Sequence, residues 1–244
     1  MIAAATQMIA KDGVPGLLGP ATPARGEHLG IATYRLLNGC DPADADIADN
    51  DAFDRHVLAS VVAAAAMDGG AIASRAGLNS QNLSALVAEY FPNALIYLSS
   101  WCDGTDAAEE EEVGMVRDLL LAQRSTAGNV GHWLAAMVAR RAVEPNHLWE
   151  DLGLRERSEL SRLLMRHFAP LASRNTGNMR WKRFFYRMLC EDDGFVMCTT
   201  PVCTQCNDFD LCFGEESGES RMAERRRDFL MQTTVPIASS SPPT

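Results

Sequence analysis

The chain has 244 residues, of which 47% are hydrophobic, and its 22 Lys and Arg against 32 Asp and Glu give a formal net charge of −10. A chain of this size folds as one domain with tails or as two small domains, and it buries about 70% of the surface that its unfolded form exposes. Wholesale disorder is therefore excluded. The negative charge also argues against a protein that coats nucleic-acid phosphates, so no nucleic-acid partner is expected.

The longest apolar stretch runs from Val57 to Met67 and is too short to cross a bilayer. The N-terminus lacks the order of a secretory signal, in which a basic residue precedes an apolar block and a cleavage site. We therefore expect a cytoplasmic protein without a membrane partner. In a reducing compartment seven cysteines do not form a disulfide framework, and an odd number cannot pair completely within the chain. Thiolate chemistry or metal binding becomes the leading hypothesis.

Three segments have the composition of solvated or disordered chain. Residues 1–29 are rich in Gly, Pro and Ala, and residues 232–244 end in SSSPPT, so both ends are predicted to be tails. The stretch from Asp41 to Asp51 holds five aspartates and no cation, and is predicted to be a solvated loop. The predicted parts are a disordered or variable N-terminal region (1–51), a helical domain (52–220) and a C-terminal tail (221–244).

Helical periodicity dominates the predicted domain from its beginning. Apolar residues after Phe53 step by three and four along an alanine-rich stretch, which Gly69 and Gly70 end. A shorter helix fits Leu83 to Phe91 and is closed by a proline. A third helix is predicted to begin at Asp106, whose carboxylate can cap backbone N–H groups, with glutamates following in the first turn.

Three further helices follow. One carries the stripe from Trp133 to Val138 and stops at Pro145, the next has a regular apolar face from Leu160 to Leu171, and the last runs from Arg180 to Leu189. No strand alternation longer than four residues and no internal repeat is found. The predicted fold class is all-α, a helical bundle-like domain followed by an irregular C-terminal cysteine-rich metal-binding loop.

The composition changes after Cys190. Residues 191–219 hold eight acids and no Lys or Arg, and Pro201, Gly194 and Gly214 break any helix there. Four of the seven cysteines lie inside this stretch, which has too little apolar content to fold by burial alone. Because the free energy of metal binding becomes folding free energy, a metal centre bound by thiolates is the physical candidate for ordering it.

The four cysteines of this stretch follow the spacing C-x4-C-x2-C-x5-C, and they are Cys198, Cys203, Cys206 and Cys212. The x2 pair is short enough to grip one metal ion or two edges of one cluster. The first three cysteines have the opening spacing of plant-type iron–sulfur ferredoxins, whose fourth ligand lies far away. Four-cysteine zinc sites are the alternative, although they usually pair two C-x2-4-C units across a longer spacer. Spacing therefore favours an iron–sulfur cluster, and leaves zinc or an unmetallated redox loop open.

A family resemblance covers the same residues. The run MRWKRFFYRMLCEDDGFVMCTTPVCTQCNDFDLCFGEE, residues 179–216, resembles the C-terminal signature of NifQ, a family of nitrogen-fixation proteins. The WKRFFYR block, the four cysteines and the CFG that follows them occur together and in order. Residues 146–179 are similar to the same family, and the resemblance extends over about residues 52–216.

The resemblance implies a non-enzymatic carrier that supplies molybdenum for assembly of the nitrogenase iron–molybdenum cofactor. The four loop cysteines would bind a molybdenum–iron–sulfur cluster as cofactor and metal ligands, and molybdenum would arrive as molybdate or a molybdenum–sulfur species. The implied partners are the cofactor scaffold NifEN and the nitrogenase iron protein. The alternative is a zinc-stabilised protein-interaction module without a metal-transfer role, and a redox enzyme that uses the centre for electron transfer is a third possibility.

A basic strip precedes the cysteines, with five cations and no acid between residues 168 and 190. These cations are Arg174, Arg180, Lys182, Arg183 and Arg187. One interpretation is functional: the cations attract molybdate, compensate the charge of an anionic cluster or dock an acidic partner. The other is that they pair with the acids after residue 190 and with solvent. The aromatic residues between them, among them Trp181, Phe184 and Phe185, are interpreted first as a helix face packed on the core.

Several remaining residues are weaker candidates. His147 and His167 are possible extra ligands, but a structural role is the simpler interpretation for each. Cys190 is either a spare ligand or a small buried hydrophobe. Cys40 and Cys102 have no metal-like spacing to any partner and are interpreted as incidental thiols.

Overall fold

The structure, a computed structural model, describes residues 29–102, 110–192, 212, 215–216 and 220–224. Over these residues the fold is helical and contains no strand, so the predicted all-α class is confirmed for this part of the chain. The greater part of the predicted cysteine loop, residues 198–211, lies outside the described residues. No helix of the described ranges combines the length and the apolar content that a bilayer span requires.

The α-helices follow one another closely along the chain. They are α1 (Leu29–Asn38), α2 (Asn50–Met67), α3 (Ile72–Arg75), α4 (Ser80–Tyr90), α5 (Leu98–Trp101), α6 (Glu111–Ala122), α7 (Val130–Ala142), α8 (Leu148–Asp151), α9 (Arg157–His167), α10 (Ala169–Ala172) and α11 (Trp181–Asp192). A 3-10 turn (Pro42–Asp44) joins α1 to α2, and another (Pro92–Tyr97) joins α4 to α5. The predicted helices after Phe53 and at 83–91, 133–138 and 180–189 are confirmed as α2, α4, α7 and α11.

Helix α2 lies at the centre of the fold. The Asp49 carboxylate caps its first turn by accepting from the Ala52 N–H at 2.7 Å. Its alanines are buried, so neighbouring elements approach the helix closely. Gly153, in the connection that follows α8, has a φ of +71°, and a Cβ there would lie 2.7 Å from the Ser60 carbonyl oxygen. Glycine at this position allows the connection after α8 to rest directly on the backbone of α2.

The ordered chain begins earlier than predicted. Residues 29–38 of the region expected to be disordered form α1, and Tyr34 is completely buried against α2. The acidic stretch from Asp41 to Asp51 is also structured, because Asp41 pairs with Arg35 and Asp49 caps α2. At least these two of the five aspartates therefore have partners of their own, and the stretch is not a solvated loop throughout. Composition masked a short helix whose buried face holds Ile31, Tyr34 and Leu37.

Two predicted boundaries are corrected. The helix expected to begin at Asp106 begins at Glu111, and Asp106 itself lies outside the described residues. The apolar face from Leu160 to Leu171 belongs to two helices, because α9 ends before Phe168 and α10 starts again with Pro170 in its first turn. Proline has no N–H to continue a helix, but fits a first turn without cost.

Helix α11 packs on the core through its aromatic face. Trp181, Phe184 and Phe185 are all at most 5% exposed, and the rings of Trp181 and Phe184 meet edge to face with centroids 5.6 Å apart. The interpretation of these aromatics as core residues is confirmed. Tyr186 donates a hydrogen bond to the Glu112 carboxylate of α6, and this contact raises the pKa of Tyr186 further than burial alone. Helix α11 therefore has a fixed position from which the cysteine run departs.

Candidate metal centre

Cys212 is the one predicted ligand that falls among the described residues, while Cys198, Cys203 and Cys206 lie outside them. Cys212 is half-buried and packs against the hydrophobic core. Its backbone carbonyl accepts a hydrogen bond from the Arg180 N–H at 2.8 Å. Arg180 immediately precedes α11, so Cys212 lies beside the beginning of this helix. The cysteine run follows the other end of the same helix in the sequence.

Two arginines hold the residues that follow Cys212. The Arg180 guanidinium donates to the Glu215 carbonyl at 3.0 Å. The Nε of Arg157, in α9, lies 3.3 Å from the Glu216 Oε2, and the Glu216 side chain is only 3% exposed. A carboxylate this deeply buried is stable only beside a cation, so the ion pair fixes the backbone at residue 216 against α9.

Arg157 also holds the loop that leads into α11. Its Nη2 donates to the carbonyls of Asn178 and Met179, at 3.2 and 3.1 Å. The loop is further fixed by the Asn175 side-chain amide, which donates to the Met179 carbonyl and accepts from the Met179 N–H. Asn178 has a φ of 54°, a left-handed conformation that asparagine tolerates better than most residues. The same guanidinium therefore joins the entry of α11 to the chain after Cys212.

The chain beyond the cysteines returns to the end of α2. Arg221 Nη2 lies 2.6 Å from one Asp68 oxygen, and Arg141 Nη1 lies 2.6 Å from the other. Arg141 is completely buried, and Met222 enters the core. Burial alone would raise the pKa of Asp68, but the hydrogen bonds from Arg221 and Arg141 outweigh it and hold the pKa below its ordinary value.

The basic strip has divided roles. Arg174 and Arg187 both pair with Glu191, at 3.5 and 2.7 Å, as the interpretation of pairing with later acids predicts. Lys182 instead reaches back to α8, where its Nζ lies 2.7 Å from the Asp151 Oδ2. Burial lowers the pKa of Lys182, and the hydrogen bond to Asp151 opposes that shift.

Arg183 differs from the other cations of the strip. Its side chain is exposed on α11, and it forms no ion pair or hydrogen bond with any group in the part of the chain that the structure describes. It is therefore the member of the strip whose charge is available to an incoming anion or partner, whereas Lys182 belongs to the buried framework.

The histidine candidates have structural roles. His167 is completely buried, with its Nε2 3.0 Å from Asp54 Oδ1 and its Nδ1 2.9 Å from Thr126 Oγ1. Both ring nitrogens are engaged, so neither is open to a metal. Burial would raise the pKa of Asp54, but hydrogen bonds from His167 and its neighbouring arginine hold it below its ordinary value. His147 precedes α8, and its backbone N–H donates to the Glu150 carboxylate at 3.0 Å.

The other described cysteines form no metal site with one another or with described neighbours. Cys40, Cys102 and Cys190 are half-buried, and none of the described cysteines forms a disulfide. Across the described ranges, no group of three or more His, Cys, Asp or Glu side chains is arranged to hold a metal ion. A metal centre at Cys212 therefore requires ligands from outside those ranges, as the predicted set of four supplies.

The sequence comparisons identify the family. The family model described as NifQ matches residues 57–214, a range that includes all four predicted ligands. The chain belongs to the NifQ family. It is 41% identical over 172 residues to a Protein NifQ homolog of Sinorhizobium fredii, covering 69% of this chain and 75% of that one. No solved structure matches the chain.

Two further NifQ relatives support the assignment. The Protein NifQ of Rhodobacter capsulatus is 38% identical over 148 residues, which cover 60% of this chain and 80% of the relative. The Protein NifQ of Azotobacter vinelandii is 38% identical over 151 residues, which cover 57% and 77%. The NifQ family is one of nitrogen fixation, so the resemblance read from the sequence is confirmed at the level of the family and its biological context.

One buried network was not predicted from the sequence of this NifQ chain. The Tyr34 hydroxyl lies 2.5 Å from His56 Nδ1, and His56 Nε2 lies 3.2 Å from the Glu159 Oε2. Burial would raise the pKa of Glu159, but the hydrogen bond from His56 lowers it below its ordinary value, while burial raises the pKa of Tyr34. The partners are 22 and 103 residues apart, so no local motif signals them.

The surroundings of Cys212 fit an anionic, sulfur-bound group. A thiolate is the soft ligand that iron, zinc and iron–sulfur clusters prefer. The apolar core on one side limits access of water, and Arg180 makes direct contact with the backbone of Cys212. The Arg180 guanidinium donates to the Glu215 carbonyl, three residues after Cys212, and positive charge in this part of the molecule offsets the negative charge of a thiolate-bound cluster.

Proposed function

We propose that this NifQ-family chain is a non-enzymatic, cytoplasmic carrier of a molybdenum–iron–sulfur cluster, and that it supplies molybdenum for assembly of the nitrogenase iron–molybdenum cofactor. The cluster is cargo, bound by Cys198, Cys203, Cys206 and Cys212. Molybdenum enters as molybdate or a molybdenum–sulfur species. It leaves to the cofactor scaffold NifEN, together with the nitrogenase iron protein.

One observation carries the proposal most directly. Four cysteines with the spacing C-x4-C-x2-C-x5-C fall in an acidic stretch that lacks the apolar content for a core of its own. The last of them, Cys212, is attached to the helical domain through Arg180. Family membership agrees with this observation, because the match includes the whole cysteine run.

The roles of the chain's own residues follow from their chemistry. The four thiolates hold the cargo, and the helical domain fixes Cys212 relative to α11. Arg183, exposed on α11, attracts molybdate or an acidic partner surface. Replacing oxygen around molybdenum by sulfide is the chemistry that an iron–sulfur cargo supplies, and it requires no catalytic side chain from this domain.

Metal analysis of anaerobically purified protein tests the identity of the cargo. We expect brown protein with a visible absorption band, and with iron, sulfide and molybdenum in fixed ratio. Stoichiometric zinc in colourless protein would instead establish the zinc-stabilised interaction module, because zinc thiolates do not absorb in the visible range. A centre that holds iron and turns over electrons without releasing molybdenum would indicate a redox role.

Single cysteine replacements test the ligand set. Cys→Ala at 198, 203, 206 or 212 is expected to lower the iron content and the visible absorbance several-fold, since each removes a metal–thiolate bond. Cys40→Ala and Cys102→Ala are matched controls in the half-buried part of the core, and are expected to leave both unchanged. Equal loss in all six variants would contradict the ligand assignment.

Delivery is tested separately from binding. Protein loaded with isotopically labelled molybdenum is mixed with purified NifEN, the nitrogenase iron protein and the remaining assembly components. We expect the label to appear in the iron–molybdenum cofactor. Label that stays on the carrier, or that reaches the cofactor equally fast from free molybdate at the same concentration, would contradict the role as a donor.

A further inference from the structure

The geometry points to Arg157 as a positioning residue for Cys212. The Arg157 bridge consists of Arg157, the Glu216 carboxylate, and the carbonyls of Asn178 and Met179. We infer that this bridge fixes the Cys212 thiol on the helical domain, so that Cys212 is the ligand that the folded domain itself presents to the cargo. The identity of the cargo rests on the proposed function, but the bridge does not.

The bridge acts from outside the cysteine run. Arg157 lies in the first turn of α9, whose buried face packs in the core, so its backbone is rigid. One edge of its guanidinium bonds the two carbonyls before Arg180, and its Nε faces the Glu216 carboxylate at 3.3 Å. Cys212 is hydrogen-bonded to Arg180, the residue after Met179, and Glu216 follows Cys212 by four residues, so both contacts of the bridge are close to Cys212.

Burial makes the bridge a strong constraint. The Nε of Arg157 and the Oε2 of Glu216 are both inaccessible to water, and neither forms a hydrogen bond within the described residues, so their 3.3 Å ion pair is the contact that stabilises these two atoms. Moving the chain after Cys212 away from α9 would therefore leave the Arg157 guanidinium or the Glu216 carboxylate buried without its partner, which is costly. The alternative, exposing these groups to water, would also expose the side chains packed around them. Arginine is suited to this role, because its planar guanidinium has several N–H groups that can contact carbonyls and a carboxylate at the same time.

Alkylation of the metal-free protein tests positioning without any cargo. The rate at which iodoacetamide modifies Cys212 is followed by mass spectrometry of its peptide, with Cys40 as an internal reference. We expect Arg157→Gln to raise the Cys212 rate about tenfold, the order of magnitude that the loss of one charged contact produces. Arg117→Gln removes the same charge from a surface pair with Asp118 on α6 and is expected to leave the rate unchanged.

A second pair of variants checks that the contact with Glu216 is responsible. Glu216→Gln is expected to raise the Cys212 rate, and the double variant Arg157→Gln/Glu216→Gln is expected to react no faster than Arg157→Gln alone, because both changes break one contact. A Cys212 rate within twofold of the wild type in Arg157→Gln would overturn the inference. A rise that Cys40 shares equally would also overturn it, since that result means loss of the fold.

The loaded protein supplies an independent readout. Transfer of iron to a chelator is followed by visible absorption, and we expect it to be faster in Arg157→Gln than in Arg117→Gln or the wild type. If the wild type binds only zinc, the proposed function fails, while the alkylation rates still decide the role of the bridge. If the wild type binds the cluster and Arg157→Gln releases it at the wild-type rate, the inference fails and the proposed function stands.

Discussion

Replacing Asp68 by asparagine tests whether the buried ion network joins the chain after the cysteines to the core. Asp68 receives two charged contacts of 2.6 Å, from Arg141 and Arg221. Arg141 is completely buried, so the substitution leaves its charge without a carboxylate. Breaking a buried ion pair costs about 3–5 kcal/mol. Arg141 keeps its 2.7 Å hydrogen bond to the Asp151 carbonyl, so we expect Asp68→Asn to lower the free energy of unfolding by about 3 kcal/mol, the low end of that range.

The second arginine of the network is expected to contribute less. Arg221→Gln removes a side chain that is 20% exposed and leaves Asp68 paired with Arg141, so we expect a loss of about 1 kcal/mol. Asp118, which is 69% exposed and pairs with its neighbour Arg117, is the control. Asp118→Asn is expected to change stability by less than about 0.5 kcal/mol.

The effect of Asp68 has a defined dependence on pH. Its pKa is lower in the folded protein than in the unfolded chain, so its stabilising contribution is present above the unfolded pKa, near 4, and is lost as pH falls through the folded pKa. The difference between wild type and Asp68→Asn is therefore largest near neutral pH and narrows toward acid. Urea unfolding followed by circular dichroism gives the free energy of unfolding at each pH.

Two results would refute this reasoning. One is a cost of Asp68→Asn no greater than that of Asp118→Asn at neutral pH. The other is a difference between Asp68→Asn and wild type that stays constant between pH 7 and pH 3, because a carboxylate that titrates in the folded protein must change its contribution over that range.

Two further variants test the packing around α2 and α11. Gly153→Ala is expected to lower the free energy of unfolding by more than about 2 kcal/mol, because the new Cβ would collide with the backbone of α2. Gly128 has a φ of +79° and open space around it, so its replacement by alanine is expected to cost about 1 kcal/mol, from backbone strain alone. Lys182→Met leaves the fully buried Asp151 without its cation and is expected to cost about 3 kcal/mol, whereas Arg183→Met is expected to be neutral within about 0.5 kcal/mol. Chemical denaturation measures all four, and equal costs within either pair would contradict the assigned contacts.

Local periodicity predicted most of the helices because each has an apolar face that can be read within a few turns. The pattern at α2 and the aromatic face of α11 are examples, and both are buried as predicted. Helix α1 was missed because acid-rich and glycine-rich neighbours dominate the composition around it. The division between α9 and α10 shows the converse error, in which a continuous apolar face was given more weight than Pro170.

The candidate site was predicted from the sequence as a set of residue types and spacings. Cysteine spacing is local, so the sequence alone predicts Cys212 as one of four candidate ligands, and that assignment stays a prediction. The hydrogen bond from Arg180 to Cys212 and the ion pair from Arg157 to Glu216 could not be predicted, because long stretches of chain separate the partners. The same reason explains why Lys182 was grouped with Arg183, although it reaches back to Asp151 in α8 and belongs to the buried framework.

The attachment of Cys212 beside the start of α11 also bears on the entropy that the proposed metal binding would cost. Helix α11 ends at Asp192, so both ends of the cysteine run are tied to one rigid body before any ion arrives. Joining the ends of a free loop of roughly 20 residues costs about 2–3 kcal/mol. Folding of the helical domain meets that cost in advance, so under the proposed function the binding free energy of the cargo would not have to include it.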